Sequence, residues 1–170
     1  MRADVWVLAL ALAAGAAQAQ LLPQDPDWKE VEAPPPPAVR TQGLIPLDMG
    51  RGTELRWGVD PQSISIGPDR VVRYVVVAQG QDGALNAIYE GLKCSTGEVR
   101  VYARHARDGQ WVPSKSADWQ RLLGNAAHRH TLAIGRGGAC IGEGANFSAA
   151  QIARDLAANV DDQFRSEIRR

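Results

Sequence analysis

Residues 71–103 read VVRYVVVAQGQDGALNAIYEGLKCSTGEVRVYA, and this stretch decides the fold. Val71 to Ala78 is rich in β-branched and aromatic residues, the composition of a strand packed on a pleated surface. Gln81-Asp82-Gly83 follows, and Asp-Gly between two apolar runs is a strong hairpin signal. Leu85 to Leu92 forms the second run, Ser95-Thr96-Gly97 a second turn, and Val99 to Ala103 the third run. Three consecutive runs joined by tight turns predict an antiparallel meander.

A two-residue Asp82-Gly83 loop sets Gln81 opposite Ala84, which fixes the register of the first hairpin. Val71, Arg73, Val75 and Val77 then share a face with Cys94, Leu92, Glu90 and Ile88. A Thr96-Gly97 loop adds Val99, Val101 and Ala103 to that face, which becomes the core side. It carries two charges, Arg73 and Glu90, as diagonal neighbours within reach of long side chains. The structural reading is an ion pair that fixes strand register, since an unpaired buried charge costs several kcal/mol. The functional reading is a polar site at the mouth of the sheet, with Glu90 as acid or base. Both depend on loop length, because a one-residue slip moves every side chain to the other face.

Beyond the meander, Ser63 to Ile66 alternates and ends at Gly67-Pro68-Asp69, Asp108-Gly109 marks another turn, and Trp111 a short strand. Ala117 to Leu123 reads as one or two helical turns, and His128 to Ile134 as a further strand. Five glycines surround Cys140, without the spacing of a phosphate-binding loop. Ser148 with Gln151 has the pattern of a capping box, with Phe147 and Ile152 as its hydrophobic staple. Ile152, Leu156, Val160, Phe164 and Ile168 then recur every four residues, predicting a C-terminal helix over residues 148–168.

The N-terminus has a different character. Val5 to Ala14 is an apolar run followed by Ala17-Gln18-Ala19 before Gln20, the pattern of a signal peptide cleaved between Ala19 and Gln20. An apolar run of about ten residues is too short to span a bilayer core, which needs roughly 20. The expectation is a periplasmic protein without a transmembrane anchor, and without the cysteine after the apolar run that a lipoprotein requires. Residues 20–43 then form a proline-rich arm, Pro34 to Pro37 at its centre, which suits an extended spacer or a strap across the domain. Trp28 has a large area to bury and is expected to dock on the domain. Residues 44–170 make a single domain.

Only two cysteines occur, Cys94 and Cys140, both in the exported part, where lone thiols pair. Their bridge would close a loop of about 47 residues and contribute roughly 4 kcal/mol by the chain-entropy model. Nineteen basic residues balance 19 acidic ones, and removing Arg2 and Asp4 with the signal leaves 18 against 18. With no basic run longer than two residues, a nucleic-acid surface has no electrostatic footprint.

Other chemistry finds little support. His128 and His130 would share one strand face, a known metal geometry, but the spacing selects no third ligand among His105, Asp108 and Cys140. Serine motifs of the GxSxG or SxxK type do not occur. Trp57, Trp111 and Trp119 suit either a sugar-stacking groove or core and rim packing.

Several blocks carry a resemblance. Asp27-Trp28-Lys29-Glu30, Asp60 with Ser63, Val71-Val72-Arg73-Tyr74, Asn86 followed by Tyr89-Glu90-Gly91-Leu92-Lys93-Cys94, Arg100-Val101-Tyr102-Ala103, and Asp108 with Trp111 resemble the CNP-one-like family of exported proteobacterial proteins. The likeness spans about residues 27–155. It implies a Gram-negative periplasmic or outer-envelope setting and no particular activity. It weakens at Arg136-Gly137-Gly138-Ala139, where the family pattern implies aromatic residues before the cysteine.

The expected fold is α+β: an antiparallel sheet of about five or six strands with a C-terminal helix on one face. The expected function is a non-catalytic binding or envelope-accessory domain for a peptide, glycan or envelope protein, needing no cofactor. A small envelope hydrolase using Glu90 with Arg73 or a histidine is the alternative.

Overall fold

The structure is a computed structural model describing residues 27–50, 53–116 and 118–168, with side chains as far as Ala158. The signal peptide, its Ala19–Gln20 junction, residues 20–26 of the arm, Ala117, and the helix stripe at Val160, Phe164 and Ile168 lie outside those described residues or side chains.

The strands are β1 (Ile45–Leu47), β2 (Arg56–Val59), β3 (Ser65–Ile66), β4 (Val72–Gln79), β5 (Leu85–Lys93), β6 (Glu98–His105), β7 (Trp111–Pro113), β8 (Gln120–Arg121), β9 (Cys140–Ile141) and β10 (Gly144–Ala145). The helices are α1 (Arg129–Ile134) and α2 (Ala149–Ile168). The main sheet is antiparallel, with the path β1-β2-β4-β5-β6-β7, while β3 pairs with β4 and β8 with β6. The α+β class and the meander β4-β5-β6 follow the sequence expectation, although among the described residues the sheet has eight strands rather than five or six.

One hairpin departs from expectation by a single residue. Gly80 and Ala84 close the β4-β5 turn, leaving Gln81-Asp82-Gly83 as a three-residue loop with Gly83 at φ 83°. A type I turn followed by a left-handed residue is the common three-residue solution, and glycine enters that region without a Cβ penalty. The same device closes Gly67 to Val71 and Ala106 to Gln110. In each loop the central aspartate, Asp69, Asp82 or Asp108, accepts from the N–H two residues on. The extra residue shifts the pairing, so Arg73 lies opposite Gly91 and Tyr74 opposite Glu90. Arg73 and Glu90 therefore project from opposite faces of the sheet, and the expected diagonal pair does not form.

Each face has its own core. On one side Val72, Tyr74, Val76, Ile88 and Leu92 pack with Ile134 of α1 and with Ile152 and Leu156 of α2. On the other, Val75, Val77, Ala87, Tyr89 and Ala103 pack with Ala33 and Val39 of the proline-rich arm. The arm thus covers the face that no helix covers. A bulge between β5 and β6 separates the two environments: Glu90 pairs with Val101 and Tyr89 with Ala103, leaving Tyr102 unopposed. Val99 and Val101 keep the expected face beside Leu92 and Glu90, while Ala103 moves to the other. Tyr102 swings over Gly91, where any Cβ would overlap its phenol.

Three further expectations are corrected. Residues 129–134 are helical, not a strand, because Asn125 caps a 3-10 turn over Ala126–His128 that feeds directly into α1. Residues 118–123 contain the short strand β8 on the edge of β6 in place of helical turns. Ser148 caps α2 by accepting from the Gln151 N–H at 3.1 Å, but Gln151 turns to Asp155 and Arg154. Phe147 is 86% exposed, so no staple forms with Ile152.

Cys94 and Cys140 are joined in a disulfide, Cα to Cα 5.7 Å. It ties the β5-β6 turn to the glycine segment that follows α1.

Candidate functional site: a carboxylate-lined cleft and a second buried ionic centre

Glu90 projects from β5 into the helix-covered side and is 2% exposed. Its Oε1 faces His130 Nε2 at 2.8 Å, and its Oε2 accepts from the Tyr74 hydroxyl at 3.2 Å and the Thr131 hydroxyl at 3.1 Å. α1 supplies both His130 and Thr131, which its geometry places on the turn facing the sheet. Burial, reinforced by the adjacent Glu90 carboxylate, pushes the Tyr74 phenol well above its ordinary value, so it remains a donor. His130 is held from its other side by Trp57, whose ring stacks on it at 4.8 Å.

Glu90 and His130 border a cleft of about 530 Å³ between the sheet and residues 126–130. Ile88, Val99 and Val101 contribute apolar lining, Trp57 an aromatic wall, and Asn86, Arg104, Ser114 and Gln120 polar groups. Among the described residues, the side chains of Asn86, Arg104 and Gln120 hold no hydrogen-bond partner within the protein. His128 also lines the cleft, but it precedes α1 while His130 lies within it, so the shared strand face does not exist. The described residues contain no group of three or more metal-ligating side chains. Among them His130 bonds Glu90, and neither His128 nor His130 receives a bond from a serine or threonine hydroxyl.

Arg73 occupies a different centre under the arm. Its guanidinium donates to Asp69 at 3.1 and 2.6 Å and to the Val31 carbonyl at 2.9 Å. Asp69 in turn accepts from the Val31 N–H at 3.0 Å, and its carbonyl accepts from the Trp28 indole at 3.0 Å. Burial alone would raise the Asp69 pKa, but the Arg73 hydrogen bond and the N–H groups of Val31 and Val71 outweigh it and hold the carboxyl below its ordinary value. Glu30 accepts from Tyr102 at 2.6 Å, from the Trp119 indole at 3.0 Å and from Arg100, and lies 3.7 Å from Arg73. Burial and then the bond to Glu30 push the Tyr102 phenol upward.

The block series noted in the sequence thus maps onto real contacts: Trp28 and Glu30 meet Asp69, Arg100 and Tyr102, and the Ser63 hydroxyl donates to the Asp60 carbonyl at 2.7 Å and accepts from the Val75 N–H. A family model matches residues 23–157.

The chain belongs to the CNP1-like family.

No curated protein and no solved structure matches it. For this CNP1-like chain, the sequence singled out Arg73, Glu90 and His130 but not their arrangement. Asp69 read only as a turn residue and Tyr74 sat on the wrong face in the expected register, so both escaped notice. Of the three tryptophans weighed for a sugar groove, Trp57 alone lines the cleft. Trp111 donates to the Pro37 carbonyl at 2.9 Å and Trp119 to Glu30, so both hold the arm.

Proposed function

We propose that this is an exported, periplasmic binding domain without catalytic activity, whose peptide or glycan ligand enters the cleft beside Glu90 and His130. The signal-like sequence over residues 1–19 and the Cys94–Cys140 bridge support an oxidising envelope compartment. The observation that carries the binding reading is the uneven use of polar groups in the cleft. Glu90 spends its oxygens on three internal partners, whereas Asn86, Arg104 and Gln120 at the rim keep theirs for a ligand. A few convergent polar groups above an apolar floor are what small ligand sites present.

Saturation-transfer NMR of the full mature chain against soluble muropeptides and short peptides tests this reading. Binding by one class, weakened at least tenfold in Arg104→Ala, is the expected result. Absence of any contact at millimolar ligand would sink it.

A hydrolase is the second reading, favoured by the 2.8 Å approach of a carboxylate to a histidine at the wall of the cleft. Its residues would be Glu90 and His130, not Glu90 and Arg73. Product formation in the same samples, abolished by His130→Gln, would select it.

A further inference from the structure

The arm is bonded to the domain as a ligand is bonded to a receptor. Its Glu30 carboxylate, 14% exposed, accepts from Arg100, Tyr102 and Trp119 and lies 3.7 Å from Arg73, side chains drawn from three separated positions in the chain. Convergent guanidinium, phenol and indole donors are the chemistry of carboxylate recognition. Further along, the Trp111 indole donates to the Pro37 carbonyl, the contact by which aromatic grooves grip polyproline segments. The arm also lays Ala33 and Val39 on the small apolar cluster beneath it, and the Val31 backbone bonds Arg73 and Asp69. The receptor side also retains spare capacity. The Nε–H groups of Arg73 and Arg100 are buried and hold no partner, an arrangement that buried donors normally avoid.

From these contacts we propose that the arm-covered face is a peptide-binding groove, and that the arm is its built-in competitor. The occupant it fits in trans is an extended segment of a partner protein carrying a carboxylate a few residues ahead of a proline run. Such a segment would take the place of Glu30 among these four side chains and of Pro37 beneath Trp111. The groove lies on the face of the sheet opposite the Glu90 cleft, so it stands or falls independently of the cleft ligand.

The test uses the full mature chain and a fluorescent peptide copying residues 27–40. Glu30→Gln weakens the resident arm while leaving the receptor groups in place. It is expected to bind the peptide at least tenfold more tightly than the unaltered chain, as read by anisotropy. Adding Arg100→Ala to that variant, or replacing glutamate by glutamine at the matching peptide position, should erase the gain. A folded, disulfide-bonded Glu30→Gln chain that binds no better than the unaltered one overturns the proposal. Dimers of that variant that excess peptide fails to dissolve also overturn it, because the occupant would then be the arm of a second copy. If Glu30→Gln does not fold, Trp28→Phe removes the arm's own bond to the Asp69 carbonyl and leaves the groove side chains in place. A gain of about threefold is expected there, and an unchanged affinity counts against the groove.

Discussion

The two faces of the sheet each bury charge, and they do so by different chemistry. Under the arm, two guanidinium groups meet two carboxylates, and the whole centre joins segments far apart in sequence. Under α1, a single carboxylate is met by a phenol, a hydroxyl and an imidazole, with no guanidinium or ammonium bonded to it among the described residues. A guanidinium suits a joint, because it keeps its charge at any accessible pH and binds a carboxylate with several donors. The Glu90 carboxylate is held instead by two hydroxyl donors and an imidazole. The second kind borders the cleft.

The largest effect expected from breaking this contrast is at Arg73. Arg73→Met leaves the buried Asp69 without its cation and Glu30 with one fewer, and should cost about 3–5 kcal/mol in chemical denaturation. A loss below 1 kcal/mol would mean that the arm centre is hydrated and the joint weak.

Removing the disulfide comes next. Replacing Cys94 and Cys140 by serine should destabilise by about 2–4 kcal/mol, since the unfolded chain regains the closed loop's freedom. Thiol alkylation of the unreduced, denatured protein should label neither cysteine beforehand.

Glu90→Gln should cost less, about 1–3 kcal/mol, because the amide keeps an acceptor for Tyr74 and Thr131 and strands no guanidinium. An equal loss at Glu90 and Arg73 would erase the distinction between the faces. A gain in stability would point instead to a carboxylate retained for chemistry at the cleft.

Acid should separate the faces without mutation. Asp69 is held below its ordinary value, so its contribution is complete above the unfolded carboxyl range near 4 and is lost as pH falls through the lower folded value. Trp28 and Trp119, packed edge to face at 6.0 Å over this centre, should report arm release by fluorescence in that acid window. A transition centred above pH 5 would implicate another group.

The smallest expected effect is a coupling energy. Arg73 and Glu90 share no partner and sit on opposite faces, so Arg73→Met combined with Glu90→Leu should be additive within about 0.5 kcal/mol. A compensating double variant would restore the single paired site that the sequence first suggested.

That pairing shows where reading along the chain stops. The alternation in residues 71–103 specified three antiparallel strands, and Ser148 before Gln151 marked the start of the last helix, because these signals are local. Cys94 and Cys140 were legible as a pair because there were only two. Register was not legible. It depended on whether Asp82-Gly83 or Gln81-Asp82-Gly83 formed the loop, and that one residue carried Arg73 and Tyr74 to opposite faces. Residues 128–134 misled for a related reason: a short apolar run suits either a strand or a helix, and the Asn125 cap chose. By itself the sequence determined the strand-rich class, the extended arm and the inventory of charges that would need partners. Tertiary structure alone decided which partners they found. Glu30 and Arg100 are 70 residues apart, as Glu90 and Thr131 are 41 apart, and contacts across such spans are set by packing both faces of one sheet at once.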